Sequence, residues 1–270
     1  MTKEKYFVEI GEEGSIGLGR LDYCYNPTTK EFLTNVGLKK GMTVLDIGCG
    51  SGIMTCWMAE QVGKTGKVIG IENDQNQLNA AKRNAEKRQL KNTEFILCSA
   101  YDIETLNQQF DLVYCRFLLH HLHDQMAVIK KIYQLLKPGG IYTAEEGIVN
   151  YAFSYPFSPA WGDESGRIPP VWVDMPTDQR DGNVGIKMFN KMYSVGFKII
   201  ATKIIHPLLT TRDEKKLLLL GRDETKQYFL DQGHTQAEWD EQTRQTEEIV
   251  NNDAQIIAFY ASCQVAGRKP

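Results

Sequence analysis

The sequence contains no apolar run close to the roughly 18–20 residues that a membrane-spanning helix needs. It also has no excess of positive charge, because 31 Lys and Arg are balanced by 34 Asp and Glu, which gives a formal net charge of −3 at pH 7. This balance argues against a broad nucleic-acid interface, since such surfaces concentrate Lys and Arg. No apolar signal region follows the first residues. We therefore expect no membrane span and no nucleic-acid partner.

Paired cysteines are also lacking. The six cysteines are scattered along the chain, and no two of them form a C-x-x-C pair. Cys49, Cys98 and Cys115 lie in or beside predicted buried strands, where cysteine behaves as a small apolar residue. The pattern predicts a reduced cytoplasmic enzyme without a structural metal. With 42% hydrophobic residues, the chain can build a sizeable core.

The most informative feature that is present is a glycine-rich turn between a predicted strand, Val44–Ile47, and a predicted helix, Ile53–Gln61. Three glycines stand at alternate positions: Gly48, Gly50 and Gly52. Glycine has no Cβ and tolerates positive φ, so the backbone of such a turn can approach a ligand closely. The dinucleotide fingerprint G-x-G-x-x-G would need its third glycine at Ile53, where this chain has none.

An acidic residue ends the next predicted strand. Val68–Ile71 is followed by Glu72, 20 residues after Gly52. In nucleotide-binding βαβ units, an acid at this strand tip accepts hydrogen bonds from ribose hydroxyls. Asp74 stands close by as a competitor for this role. Together, the turn and the acid predict a ligand that contains a nucleoside.

At these residues the chain resembles the class I S-adenosylmethionine-dependent methyltransferases. Their motif D-x-G-x-G-x-G is matched by Asp46 and the three glycines of the turn. The resemblance continues in order through Phe110–Val113, Leu118–Leu122 and Leu135–Gly140, and covers roughly residues 20–150. It implies S-adenosylmethionine as cofactor and a small-molecule methyl acceptor as substrate.

The resemblance also implies roles for individual residues. Asp46 would orient the turn and the cofactor's amino group, and Glu72 would take the ribose hydroxyls. Ser99 and Ala100 would contact the adenine, although Ser99 replaces an acid that is common in the family. Arg116 either lines the cofactor pocket or forms an ion pair. The predicted cofactor contacts are Asp46, Gly48, Cys49, Gly50, Gly52, Glu72, Asn73, Ser99, Ala100 and Arg116.

Three histidines follow the strand predicted at Phe110–Cys115: His120, His121 and His123. Adjacent histidines at a helix start point about 100° apart, and no Cys or carboxylate cluster completes a shell, so we predict no metal site. A histidine could accept a proton from an oxygen or nitrogen nucleophile, which makes His120 and His121 the predicted catalytic residues. The alternative is that this segment only packs the helix start against the sheet. Glu145 and Glu146 are weaker acid/base candidates.

Strand and helix patterns alternate through the central half of the chain. This predicts an α/β fold, a Rossmann-like doubly wound seven-stranded sheet that is mostly parallel, with the last strand antiparallel and helical cap insertions. The fifth strand is predicted at Gly140–Glu145 and the last at Gln255–Val265, and one long helix is predicted at Arg212–Asp231.

The expected organisation has six segments. They are an N-terminal cap segment (1–30), a cofactor-binding core (31–150), an aromatic and proline-rich lid (151–181), a core continuation (182–205), a helical insertion (206–254) and the last core strand (255–270). The function expected from them is methyl transfer to a small molecule, mainly by proximity and desolvation. Two alternatives stay open: an NAD-dependent oxidoreductase on the same fold, and a cofactor-binding module without catalysis. Dimerisation through the inserted helices is also left open.

Overall fold

The computed structural model describes residues 12–161, 181–219, 222–231 and 233–270. The chain divides into two compact units. The first, here called the sheet unit, consists of Thr28–Gly147, Asp178–Ile205 and Ser262–Pro270. The second, here called the small unit, consists of Met1–Pro27, Ile148–Thr177 and His206–Ala261. Each unit is therefore assembled from three separate stretches of sequence.

The strands, in chain order, are β1 (Thr43–Ile47), β2 (Lys67–Glu72), β3 (Thr93–Leu97), β4 (Phe110–Arg116), β5 (Leu136–Ile148), β6 (Phe153–Tyr155), β7 (Lys198–Ile205), β8 (Leu208–Leu209), β9 (Ile256–Ala258) and β10 (Ala261–Arg268). The α-helices are α1 (Glu12–Val36), α2 (Ile53–Val62), α3 (Gln75–Lys87), α4 (Gln125–Leu135), α5 (Val184–Val195), α6 (Arg212–Lys215), α7 (Arg222–Asp231) and α8 (Gln236–Asn251). Short 3₁₀ helices cover Ala100–Leu106, Leu119–His121, Pro159–Trp161 and Lys216–Leu219.

The sheet unit is built on a seven-stranded sheet of order β3-β2-β1-β4-β5-β10-β7. The pairs from β3 to β5 are parallel, and β10 runs antiparallel to β7. The predicted Rossmann-like, doubly wound fold class is thus confirmed, including the antiparallel last strand. Because parallel strands end at the same edge of a sheet, the residues that follow β1 to β5 are brought together there.

Side chains of the central strands point alternately to the two faces of the sheet, and each face has its own hydrophobic core. Leu45 and Val113 belong to the core on one face of the sheet, which also contains residues of α4 and α5. Val44 and Leu112 belong to the core on the other face, which contains residues of α1 and α2. Successive strand residues point to opposite faces, so strands buried on both sides read as continuous apolar runs, as β1 and β4 do.

The small unit contains a three-stranded antiparallel sheet of order β6-β9-β8 together with α6 to α8. Both α6 and α8 begin with a capping box, in which Thr211 pairs with Glu214 and Thr235 pairs with Glu238. No helix among the described residues is long and apolar enough to cross a bilayer.

Several predicted elements differ from the observed ones. The strand expected at Gln255–Val265 is two strands, β9 and β10, which belong to different sheets. The helix expected at Arg212–Asp231 is divided into α6, a 3₁₀ turn and α7. The fifth strand runs from Leu136 to Ile148 rather than from Gly140 to Glu145, so that Pro138 and Glu146 lie inside it. Most of the lid predicted at 151–181 lies outside the described residues.

Candidate active site

The glycine turn between β1 and α2 has left-handed backbone at all three glycines, with φ of +70° at Gly48, +52° at Gly50 and +75° at Gly52. A Cβ on Gly52 would lie 2.8 Å from Ala81 Cβ, and one on Gly48 would lie 3.1 Å from Leu118 Cδ1. A Cβ on Gly50 would meet no atom of the described chain within 4 Å. Packing therefore excludes a side chain at Gly52, a side chain at Gly48 would have to displace the tip of Leu118, and Gly50 borders open space.

Glu72, at the end of β2, is tied to this turn. Its carboxylate accepts hydrogen bonds from the backbone N–H of Gly50 at 3.0 Å, of Asn73 at 2.8 Å and of Asp74 at 3.2 Å. The side chain is buried, and burial raises its pKa above the ordinary value while the backbone donors oppose this rise. The carboxylate is thus held in one orientation beside the turn.

Asp74, two residues further along the chain, has a different structural role. Asp74 caps α3, because its carboxylate accepts the N–H groups of Asn76 and Gln77, both at 2.9 Å. Asn73 lies exposed between the two acids. Of the two acids that the sequence offers, the structure places Glu72 against the glycine turn.

Asp46, one residue before the end of β1, is buried under the turn. Its carboxylate accepts a hydrogen bond of 2.5 Å from the Thr55 hydroxyl on α2. Burial raises the pKa of Asp46 to about 7, although the Thr55 hydrogen bond and the charge of Arg116 counteract part of the rise. Thr55 was not predicted as a site residue, because nothing in a single sequence marks a threonine within an apolar helix as the partner of a buried carboxylate.

Arg116 ends β4 and takes part in a polar network with residues distant in sequence. Its guanidinium donates to the Thr29 hydroxyl at 3.3 Å, and Thr29 donates to Glu145 at 2.5 Å. Glu145 also accepts from the Ser262 hydroxyl at 2.8 Å and is buried. Arg116 is therefore engaged with α1 through Thr29, and Glu145 is held by two hydroxyl groups.

Ser99 and Ala100 follow β3 at the same edge of the sheet. The Ser99 hydroxyl accepts the N–H of Tyr101 at 3.2 Å and so caps the 3₁₀ helix Ala100–Leu106. Ala100 is buried, and Cys98 donates its N–H to the Glu72 carbonyl at 2.9 Å. The segment is thus fixed next to the end of β2. Cys49, within the glycine turn, donates its N–H to the Ile71 carbonyl at 2.9 Å.

The histidines predicted to be catalytic lie in the turn after β4. His120 Nδ1 lies 3.2 Å from a carboxylate oxygen of Glu146, which is fully buried. The other oxygen of Glu146 accepts the N–H groups of Leu118 at 3.0 Å and of Leu119 at 2.8 Å. The His121 ring lies 3.8 Å from that of His120, measured between centroids. Within the described residues, no group of three or more His, Cys, Asp or Glu side chains is arranged to hold a metal ion.

The sequence of residues 38–163 matches the family described as methyltransferase domain. A demethylmenaquinone methyltransferase of Oceanobacillus iheyensis is 33% identical over 132 residues, which are 47% of this chain and 56% of that protein. The same enzyme of Lactococcus lactis subsp. lactis is 35% identical over 108 residues, 40% of this chain and 43% of that protein. The chain spans about half the length of the curated relatives that it matches.

Solved structures show the same fold at low sequence identity. A candidate methyltransferase from Bacillus halodurans is similar with a TM-score of 0.60 at 18% identity, over 89% of this chain and 98% of that one. Phosphoethanolamine N-methyltransferase 2 of Haemonchus contortus, solved with S-adenosyl-L-methionine, has a TM-score of 0.52 at 19% identity, over 98% and 54%. A [4+2]-cyclase has a TM-score of 0.54 at 20% identity, over 86% and 77%. The fold alone is therefore compatible with more than one reaction.

Proposed function

We propose that this protein, whose residues 38–163 match the methyltransferase domain family, transfers a methyl group from S-adenosylmethionine to a small-molecule acceptor. The observation that carries the proposal is the pairing of the Gly50 N–H with the buried Glu72 carboxylate beside open space. This pairing presents a rigid acceptor of hydrogen bonds next to a turn whose backbone a ligand can approach. Ribose hydroxyls are the groups expected at Glu72.

The charge of the site suits the proposed cofactor. Four buried carboxyl side chains lie within the last four residues of β1, β2 and β5: Asp46, Glu72, Glu145 and Glu146. S-adenosylmethionine carries positive charge on its sulfonium and amino groups, and a positive charge is stabilised by nearby carboxylates. Asp46, whose pKa is about 7, would ionise more readily beside the amino group.

Chemically, the sulfonium supplies an activated methyl group, so the protein has mainly to orient the acceptor and exclude water. Holding two reactants in line is worth about 7–11 kcal/mol in favourable cases. In the proposal, Gly48–Gly52 and Glu72 hold the donor, while Ser99 and Ala100 border the adenine. Asn73, Cys49 and Arg116 complete the proposed cofactor contacts.

The acceptor is proposed only as a small molecule. The curated relatives are named for demethylmenaquinone, but the matched region is only about half of each. Acceptor contacts that lie elsewhere are not covered by that match. The protein is further proposed to work in the cytoplasm, which its six free cysteines support.

Isothermal titration calorimetry tests the donor assignment. We expect binding of S-adenosylmethionine and of its demethylated product, S-adenosylhomocysteine, and no comparable binding of NAD. A preference for NAD would instead favour an oxidoreductase. A screen with methyl-labelled S-adenosylmethionine against phenols, hydroquinones, amines and lipids then separates an enzyme from a cofactor-binding module, because the module would bind the donor without producing a labelled acceptor.

A further inference from the structure

One buried carboxylate holds the whole turn that follows β4. Through one oxygen, Glu146 accepts two backbone hydrogen bonds, from Leu118 and Leu119, and its other oxygen faces His120 Nδ1 at 3.2 Å. The Glu146 side chain has no solvent exposure, whereas that of His120 is 25% exposed. A single side chain of β5 thus fixes both the backbone and the imidazole of this turn.

This contact selects one form of the imidazole. A carboxylate only accepts hydrogen bonds, so the neutral ring must carry its proton on Nδ1 and its lone pair on Nε2. The same carboxylate stabilises the imidazolium that forms when Nε2 takes up a second proton, as in Asp–His pairs of hydrolases. The arrangement therefore prepares Nε2 to act as a base.

The turn also lies next to the proposed donor site. Leu118 Cδ1 is 3.1 Å from the place that a Cβ on Gly48 would occupy, so the residue two before His120 packs on the glycine turn. Among the described residues, the titratable side chains that contact the His120 ring are those of Glu146 and His121. Phe117, which precedes the turn, has φ of +50° and lies edge-on to His120.

We propose that Glu146 is a positioning residue that holds His120 as the general base of methyl transfer, and that the acceptor atom therefore carries a proton, as in a hydroxyl or an amine. This inference rests on the proposed methyltransferase function. In the step, the acceptor's O–H or N–H proton moves to His120 Nε2, and the lone pair of the oxygen or nitrogen forms the bond to the methyl carbon. The S–CH₃ bond breaks and its electron pair remains on sulfur. The imidazolium then releases its proton to solvent.

The glutamine variant of Glu146 provides the sharpest test. In E146Q the amide oxygen can still accept the two backbone N–H groups, but the amide nitrogen would donate to Nδ1 and so place the imidazole proton on Nε2. We expect kcat to fall by about 10²–10⁴-fold, the range of general-base catalysis, with the affinity for S-adenosylmethionine unchanged. His120→Gln should give a similar loss, because it removes the ring nitrogen that would accept the proton. His123→Gln, an exposed histidine outside the proposed site, is the matched control and should keep the wild-type rate.

The probes are chosen by their acceptor atoms. Catechol, hydroquinone and benzylamine carry a proton on the nucleophilic atom, whereas dimethyl sulfide and pyridine do not. We expect label only in the first group. Label only in the second group, or full activity in both E146Q and H120Q, would overturn the proposal.

A second measurement needs no acceptor. In a long-range ¹H–¹⁵N spectrum above pH 8, with the His120 signal identified by its loss in H120Q, we expect the Nδ1–H form in the wild type and the Nε2–H form in E146Q. An Nε2–H form in the wild type would contradict the Glu146–His120 pairing. Failure to bind S-adenosylmethionine would instead remove the proposed function, and the spectrum would still decide on the pair.

Discussion

Glu72 and Asp74 stand two residues apart, and their backbone partners give them different tasks. Glu72 accepts from Gly50 in the glycine turn, whereas Asp74 accepts from the first turn of α3. Both are acids near the end of a strand, but only Glu72 is buried there. At the scale of single residues, hydrogen-bond partners separate a proposed ligand contact from a helix cap.

Glu72→Ala should therefore weaken the binding of S-adenosylmethionine. The lost hydrogen bonds to a charged group are worth about 1.5–3 kcal/mol, which corresponds to roughly 10–100-fold in Kd. Asp74→Ala is the control, because it removes a helix cap at a cost of about 0.5–2 kcal/mol in stability and leaves the proposed ribose contact in place. Calorimetry and thermal unfolding of both variants measure the two effects. Equal Kd values for Glu72→Ala and the wild type would exclude Glu72 from the site.

Asp46 gives a pH dependence that belongs to the protein without ligand. Burial raises the pKa of its carboxyl from 3.8 to about 7, so between these values the folded state holds a proton that the unfolded state has lost. The contribution of Asp46 to the stability of the folded protein is thus fully present below about pH 4. Between about pH 4 and pH 7 the free energy of unfolding falls by about 1.4 kcal/mol for each pH unit.

Asp46→Asn should remove this dependence, since the amide does not titrate and can still pair with the Thr55 hydroxyl. Urea unfolding measures the free energy of unfolding at pH 5 and at pH 7. From pH 5 to pH 7 this free energy should fall by roughly 2–3 kcal/mol more in the wild type than in the variant. A difference between variant and wild type that stays constant with pH would show that Asp46 is already ionised in the folded protein.

At the scale of elements, the strand–turn–helix unit combines two demands on glycine. Gly52 must lack a side chain because Ala81 of α3 packs against it, whereas no atom of the described chain fills the space at Gly50. All three positions share a left-handed φ, so conformation alone does not distinguish them. What distinguishes them is the neighbour that a Cβ would meet.

The two alanine variants should consequently fail in different ways. Gly52→Ala combines a left-handed alanine with a contact of 2.8 Å, and we expect a stability loss of roughly 2–4 kcal/mol. Gly50→Ala has the conformational cost alone, about 1–2 kcal/mol, but its Cβ would enter the proposed donor space. Chemical unfolding and donor titration of the pair should show the larger stability loss in Gly52→Ala and the larger relative loss of donor affinity in Gly50→Ala. The reverse order would place the donor elsewhere.

At the scale of the whole molecule, two units are built from interleaved stretches of one chain. Each unit has its own sheet, and the residues proposed to bind the donor all belong to the sheet unit. Donor binding should therefore act first on the stability of that unit.

We expect S-adenosylmethionine at about 100 times its Kd to add roughly 2.7 kcal/mol to the free energy of unfolding of the sheet unit. Hydrogen exchange followed by mass spectrometry should show protection at the ends of β1, β2 and β3, and less in α8 of the small unit. NAD at the same concentration serves as the control. Equal protection by both compounds would argue against a donor-specific site.

Much of the sheet unit could be predicted because its signals are local. Apolar runs mark β1 and β4, and the glycines of the turn and the acid at Glu72 lie within a single strand–helix–strand stretch of sequence. The prediction was wrong at 255–265, where β9 and β10 form one apolar run but pair in different sheets, because pairing partners are not written in local composition. It was also wrong at 212–231, where helix-compatible residues are interrupted by a 3₁₀ turn.

The sequence by itself determined the fold class, the glycine turn and the nucleotide-type acid, since these follow from short-range periodicity and backbone conformation. Only the tertiary structure decided which polar groups meet: Thr55 with Asp46, Thr29 and Ser262 with Glu145, and Glu146 with His120. The Glu146–His120 pair joins residues 26 positions apart, and the Thr29–Glu145 pair joins residues 116 positions apart. The first pair forms because the parallel strands β4 and β5 bring their carboxyl ends to one edge of the sheet, and the second because α1 packs beside β5. Both depend on the complete topology, which no local sequence pattern contains.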